Sequence, residues 1–241
     1  MNDDKLRGEL FDEHVDRYAE ELSAALSASG ESREYFAEGR VEWLAQCLAR
    51  AGESPRALLD FGCGDGSTAP LLLSVLRAES VFGLDVSERS VAIARERHGN
   101  ARISYGPLRE FQPAGDLDLA YSNGVFHHVP IAERAGALAT VMAALRPGGF
   151  FALWENNGWN PATRYVMSRC AFDRDAILLT PPEARALLRE RGFEVVRTDF
   201  LFIFPRTLRF LRPLENALHG IPLGTQYQIL CRKPGSAASG A

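Results

Sequence analysis

The chain has 241 residues, 46% of them hydrophobic, with a net charge of −4 and a pI of about 5.8. That suits one compact domain with added elements and a sizeable core, and nothing in the charge balance marks a general nucleic-acid binder. Cys47, Cys63, Cys170 and Cys231 lie far apart with no CxxC spacing, so neither a zinc site nor a redox pair is indicated and no metal is expected.

The chain starts MNDDKLRGELFDEH, charged and without the apolar core of a signal peptide. No apolar run approaches the roughly 18–20 residues that span a bilayer. The expectation is a cytoplasmic protein with reduced thiols and no membrane partner. Apolar residues recur at helical spacing, first Tyr18, Leu22, Ala25 and Leu26, then Val41, Leu44, Ala45 and Leu48. They predict helices over 12–28 and 33–50, an N-terminal helical cap (1–50) on the same folding unit.

After Pro55 the rhythm changes. Short apolar runs at 57–61, 81–85, 101–105, 116–123 and 149–155 read as strands. Between them, 67–76, 88–98 and 131–146 read as helices, the last closed by Pro147-Gly148-Gly149. Helices at 164–172 and 181–192 follow, then strands at 193–204 and 226–232 with no crossover helix unit evident between them. This alternation predicts an α/β domain over 51–234: a Rossmann-like, mostly parallel sheet with helices on both faces. The final two strands suggest an antiparallel pair at the sheet edge. Composition predicts a disordered tail at 235–241. Charge is uneven: residues 1–38 hold eleven acidic and four basic side chains, and 204–233 hold five basic and one acidic. Two solvated faces explain this; a basic rim attracting an anionic substrate is the alternative.

The stretch LLDFGCGDGSTAP (58–70) carries three glycines in five positions, Gly62, Gly64 and Gly66. Glycine there permits positive φ and a close approach of ligand to backbone. Asp85, at the end of the second strand, suits the hydroxyls of a ribose. Both features fit NAD, but the spacing is G-x-G-x-G instead of G-x-G-x-x-G, and Asp60 and Asp65 are poor neighbours for a pyrophosphate. Two carboxylates suit a ligand bearing an ammonium or sulfonium.

LDFGCGDG, the Asp85 of GLDVS, DLAYSNGVFHHV and LRPGGFFALWE, in that order, resemble the class I S-adenosylmethionine (SAM) dependent methyltransferases. The resemblance implies a seven-stranded sheet with an antiparallel last strand, and SAM as cofactor with S-adenosylhomocysteine (SAH) as product. It implies that Asp60, Gly62 and Gly64, with Cys63 between the glycines, line the methionine part. Asp85, followed by Val86, would hold the ribose, and Asn123 would lie near the methionine amino group. Many members carry an acid after the third strand; here Pro107 occupies that place, leaving the adenine to backbone around Leu108 or to Glu110. Tyr18, Tyr35 and Arg40 of the cap are candidates to touch cofactor or substrate.

Methyl transfer from a sulfonium is an in-line displacement that depends mostly on positioning, and a base is needed only if the nucleophile must lose a proton. On the acceptor side, His127 is a candidate base; packing and capping is the alternative for the His127-His128 pair. WENNGWNPATR (154–164) offers Glu155, Asn156, Asn157 and Asn160 beside tryptophans, with Glu155 and Asn157 as catalytic candidates. An Asn-rich turn before a helix capped at Pro161 is the competing reading. A small-molecule acceptor, polar or anionic, is expected. Use of SAM at another carbon, a non-catalytic SAM-binding protein and an NAD-dependent oxidoreductase stand as alternatives; the oligomeric state is open.

Overall fold

The computed structural model describes residues 30–170 and 176–235. The predicted helix at 12–28, Tyr18 and the tail beyond Gly235 lie outside the described residues. In chain order the elements are α1 (Arg33–Arg50), β1 (Ala57–Phe61), α2 (Ala69–Val75), β2 (Ser80–Asp85), α3 (Glu88–His98), β3 (Ile103–Pro107) and β4 (Leu117–Asn123). Then come α4 (Ile131–Ala144), β5 (Leu145–Asn156), α5 (Pro161–Arg169), α6 (Pro181–Glu190), β6 (Glu194–Leu201), α7 (Glu215–Leu218) and β7 (Gln226–Arg232). Short 3₁₀ turns cover Leu108–Glu110 and Arg206–Leu214.

The helix starts are chemically specified. Ser32 accepts a hydrogen bond from Tyr35 N at α1, Ser87 accepts one from Ser90 N at α3, and Thr180 with Glu183 forms a capping box at α6. Seven strands form one sheet in the order β3-β2-β1-β4-β5-β7-β6. The first five are mutually parallel, and β7 runs antiparallel to both β5 and β6. The closing pair is thus antiparallel, but only β6 lies at the edge; β7 inserts between β5 and β6.

Pro147-Gly148-Gly149 does not end α4. The helix stops at Ala144, and β5 begins at Leu145, which pairs with Leu117 before a register shift. Gly148 has φ +78, and a Cβ on Gly149 would meet the carbonyl oxygens of Arg146 at 2.9 Å and Leu117 at 3.1 Å. These glycines admit an irregularity inside the strand. The strand predicted over 193–204 ends early, at Leu201, because Phe202 takes a positive φ of 62°.

Side chains alternate between the sheet's two faces. Leu58, Tyr121, Phe150, Ala152, Trp154 and Leu230 pack with α1, α2 and α3 residues in one cluster. Leu59, Phe61, Phe151, Leu153 and Ile229 pack with α4 and α6 in the other. Helix α1 shares the first core through Phe36, Val41, Trp43, Leu44, Cys47 and Leu48. Among the described residues, no helix is long and apolar enough to cross a membrane.

Candidate functional site

The strand order reverses between β1 and β4, where Asp60 stands opposite Tyr121. In open α/β sheets the crevice at that switch, beyond the strands' carboxyl ends, is the ligand site. Phe61, Asp85, Pro107, Asn123 and Asn156 end their strands on this rim, and antiparallel β7 contributes its first residue, Gln226, paired with Asn156.

The three loop glycines have different reasons to exist. All have positive φ: 76° at Gly62, 54° at Gly64 and 77° at Gly66. A Cβ on Gly62 would lie 2.3 Å from Val125 Cγ2, and one on Gly66 would lie 2.7 Å from Ala94 Cβ. Those two let the loop nest against the turn after β4 and against α3. Of the three, only Gly64 would carry a Cβ that meets no described atom within 4 Å. The loop is pinned by Gly62 N and Cys63 N donating to Leu84 O, and by Gly64 N donating to Asp85 Oδ2 at 2.8 Å. Asp85 Oδ1 also accepts from Ser87 N at 2.9 Å, so backbone donors on both sides orient this carboxylate.

Asp60 is 2% exposed, and its Oδ2 has no hydrogen-bond partner among the described residues. Burial, then the neighbouring Asp85 and Asp65, pushes its carboxyl up to about 7, while the Arg40 guanidinium pulls the other way. Arg40, itself buried, donates from Nε to Tyr121 Oη (3.2 Å) and from Nη1 to Gln226 Oε1 (3.0 Å). Gln226 Nε2 donates to Asn156 Oδ1 at 3.4 Å. Asp65 faces outward: Ser67 and Arg33 engage it and hold its carboxyl below the usual range despite the opposing effect of burial. Cys63 is buried, which raises its thiol well above the ordinary value. Val86 and Leu108 are half-buried just after β2 and β3, and Leu108 packs on the α4-side core. Asn123, half-buried, ends β4 opposite Trp154. Glu110 is exposed and bonded to Arg109. Tyr35 packs edge-on against Phe36 and Phe202 with Arg212 over its ring.

The structure buries the three acceptor-side candidates and engages them internally. Glu155, 2% exposed, accepts from Phe126 N (2.8 Å) through Oε1 and meets His127 Nδ1 (2.5 Å) through Oε2. Both belong to the face of α4 and α6, opposite Asp60. Asn157, 0% exposed, donates to Gly224 O (2.8 Å) and Pro222 O (3.2 Å), and its Oδ1 accepts from Trp159 N. Asn160 caps α5 and donates to Leu223 O, and Thr163 donates to Thr225 O. WENNGWNPATR is therefore a clasp on the β6–β7 connection. The basic stretch after residue 204 is partly neutralised: Arg212 pairs with Glu31, and Arg206 donates to Gly30 O.

Sequence reasoning missed Tyr121, Gln226 and the place of Asn156. Alternation held a signal for Asn156, since counting by twos from Trp154 puts it, and not Glu155, on the Asp60 face. Gln226 had no such signal, because its position depends on β7 inserting antiparallel.

A family model described as a methyltransferase domain matches residues 58–149. The trans-aconitate 2-methyltransferase of Mycobacterium sp. (strain KMS) is 30% identical over 188 residues, 71% of this chain and 72% of that protein. The chain belongs to the SAM-dependent methyltransferase family. A protein of the same name from Acidovorax ebreus (strain TPSY) is 29% identical over 162 residues, 66% of this chain. The chain spans 62% of that relative's length. In fold, the chain matches a SAM-dependent methyltransferase of Thermotoga maritima with a TM-score of 0.62, at 18% identity, over 93% of this chain and 99% of that one. It also matches the [4+2]-cyclase SpnF with a TM-score of 0.56, at 19% identity, over 81% and 82%. The family's cofactor fits the residues present: a buried carboxylate oxygen without a partner suits a cationic amino acid, and the open side of Gly64 admits a close approach.

Proposed function

We propose that this protein transfers a methyl group from SAM to an oxygen, nitrogen or carbon of a small polar or anionic molecule. The observation that carries the reading is Asp60, whose buried, unpartnered Oδ2 suits the ammonium of an amino acid. Arg40 on the same face would hold that amino acid's carboxylate, and Asn123 would contribute nearby. Gly62, Cys63 and Gly64 would form the cradle, Gly64 giving the backbone access. Asp85 would accept from the ribose hydroxyls, with Val86, Leu108 and the neighbouring backbone around the adenine. Tyr18, outside the described residues, is retained as a cofactor-binding candidate.

Bound SAM supplies an activated methyl group on a sulfonium. The protein's task is then to align the acceptor in line with that carbon and exclude water. Relatives named for trans-aconitate favour a carboxylic acid as acceptor, with a carboxylate oxygen as nucleophile. An ionised carboxylate has no proton to lose, so no general base is required. This agrees with the internal hydrogen bonds of His127, Glu155 and Asn157. Asn156 and Gln226, on the Asp60 face, would orient the acceptor.

The test is incubation with SAM and a panel of di- and tricarboxylic acids that includes trans-aconitate, scored for SAH and methyl ester. SAH with methylated amines alone would overturn the carboxylate acceptor, and methylthioadenosine as product would overturn methyl transfer itself. The likeness to a cyclase favours one second reading, a SAM-binding protein with other chemistry; SAM binding without SAH release across the panel would support it.

A further inference from the structure

The Glu155–His127 pair sits on the sheet face opposite Asp60, yet it connects to the glycine loop through three consecutive residues. Glu155 Oε1 accepts from Phe126 N and Oε2 holds His127 Nδ1, so one buried carboxylate fixes two successive positions of the turn after β4. The Phe126 ring is wedged between Phe61 (6.1 Å, stacked) and Phe151 (6.3 Å, tilted). The residue before it, Val125, fills the space a side chain at Gly62 would need. From the other side, Gly124 N donates to Trp154 O, and His127 O accepts from Ile177 N. Arg134 donates to Ile177 O and Val129 O, completing the hold on the turn.

We infer that Glu155 is a positioning residue: it sets the height of Val125 and thereby the seat of the Gly62–Gly64 loop that receives the cofactor. The proposal rests on the SAM reading above. It assigns Glu155 and His127 to cofactor placement and not to proton transfer. A buried carboxyl group bonded on one oxygen to a backbone N–H and on the other to an imidazole nitrogen is held rigidly, and close packing transmits a displacement of Val125 to Gly62.

The experiment is SAH titration by calorimetry on wild type, Glu155→Gln, Glu155→Ala, Val125→Ala and the double variant Glu155→Ala/Val125→Ala, with melting curves on each. No SAH binding by wild type would refute the cofactor reading. If wild type binds, Glu155→Ala should weaken SAH about 10-fold and Val125→Ala about 3- to 10-fold, while the double variant loses no more than the worse single, as expected for residues acting through one contact. Glu155→Gln retains an acceptor for Phe126 N and should recover most of the loss. With a turnover assay, Glu155→Ala should raise the KM for SAM more than it lowers kcat, Glu155→Gln should stay close to wild type, and the pH profile should remain in place. Wild-type SAH affinity in Glu155→Ala together with abolished turnover would return Glu155 to acid–base chemistry and overturn the proposal. Additive losses would break the link to Val125. Should Glu155→Ala fail to fold, unchanged SAH affinity in Val125→Ala overturns the proposal by itself, and weakened affinity there with near-normal Glu155→Gln supports it.

Discussion

Two buried carboxylates, Asp60 and Glu155, stand at the carboxyl ends of neighbouring parts of one sheet, each 2% exposed. Their surroundings are opposite. Glu155 has a backbone N–H on one oxygen and an imidazole on the other. Asp60 has one oxygen with no hydrogen-bond partner among the described residues, and burial followed by two further aspartates raises its carboxyl against the pull of Arg40. A buried charge persists where the structure or a ligand compensates it. On the reading proposed above, the compensated carboxylate serves the scaffold and the one with an open oxygen receives a cationic ligand. Burial alone does not separate the two roles; the count of partners does.

Variants can sharpen or break this contrast. The largest effect is expected at Glu155. Glu155→Ala leaves the Phe126 N–H without its acceptor and takes the carboxylate away from His127 Nδ1, and should cost about 3–5 kcal/mol of stability, read by urea denaturation. A loss near zero would place Glu155 outside the scaffold.

Asp60→Asn should behave in the reverse sense. It removes a charge from a site that disfavours one, so the ligand-free protein should not lose stability near neutral pH. SAM affinity should fall about 30-fold, the roughly 2 kcal/mol of a hydrogen bond to a charged group. The pH dependence has a definite sign. The folded carboxyl titrates near 7 and the ordinary value is 3.8, so the unfolded chain releases its proton first. Ligand-free stability therefore falls as pH rises from about 4 to about 7, and SAM affinity rises over the same window because the cation selects the ionised form. Asp60→Asn should flatten both curves. A wild-type melting temperature that rises steadily across that window would contradict the assignment.

Asp85→Ala should weaken SAM by about 1–3 kcal/mol, through lost ribose contacts and a loosened Gly64 N–H. An unchanged dissociation constant would remove Asp85 from the ribose. Two further variants separate the glycines. Gly64→Ala adds a methyl in open space and pays only for its positive φ, about 1–2 kcal/mol, so the protein should fold and bind SAM poorly. Gly62→Ala adds the collision with Val125 and about 1–3 kcal/mol more. Equal melting temperatures for the two would undo the distinction between them.

The sequence by itself determined the alternation of strands and helices, because hydrophobic period and turn chemistry are local. The helix over 88–98 and the strands over 57–61 and 226–232 coincide with the observed elements. It also carried an expectation for the loop's ligand, since Asp65 inside the glycine run and Asp60 just before it are poor neighbours for a pyrophosphate. It could not tell which of several polar residues on WENNGWNPATR face the site. Glu155, Asn156 and Asn157 are consecutive, yet the first is drawn under the turn after β4, the last clasps the β6–β7 connection, and only Asn156 shares a face with Asp60. That choice follows from strand phase and from β7 inserting beside β5, which brings Gln226 to Asn156, 70 positions away, and to Arg40, 186 positions away. Contacts at such separation depend on the register between strands, and register is a property of the assembled sheet.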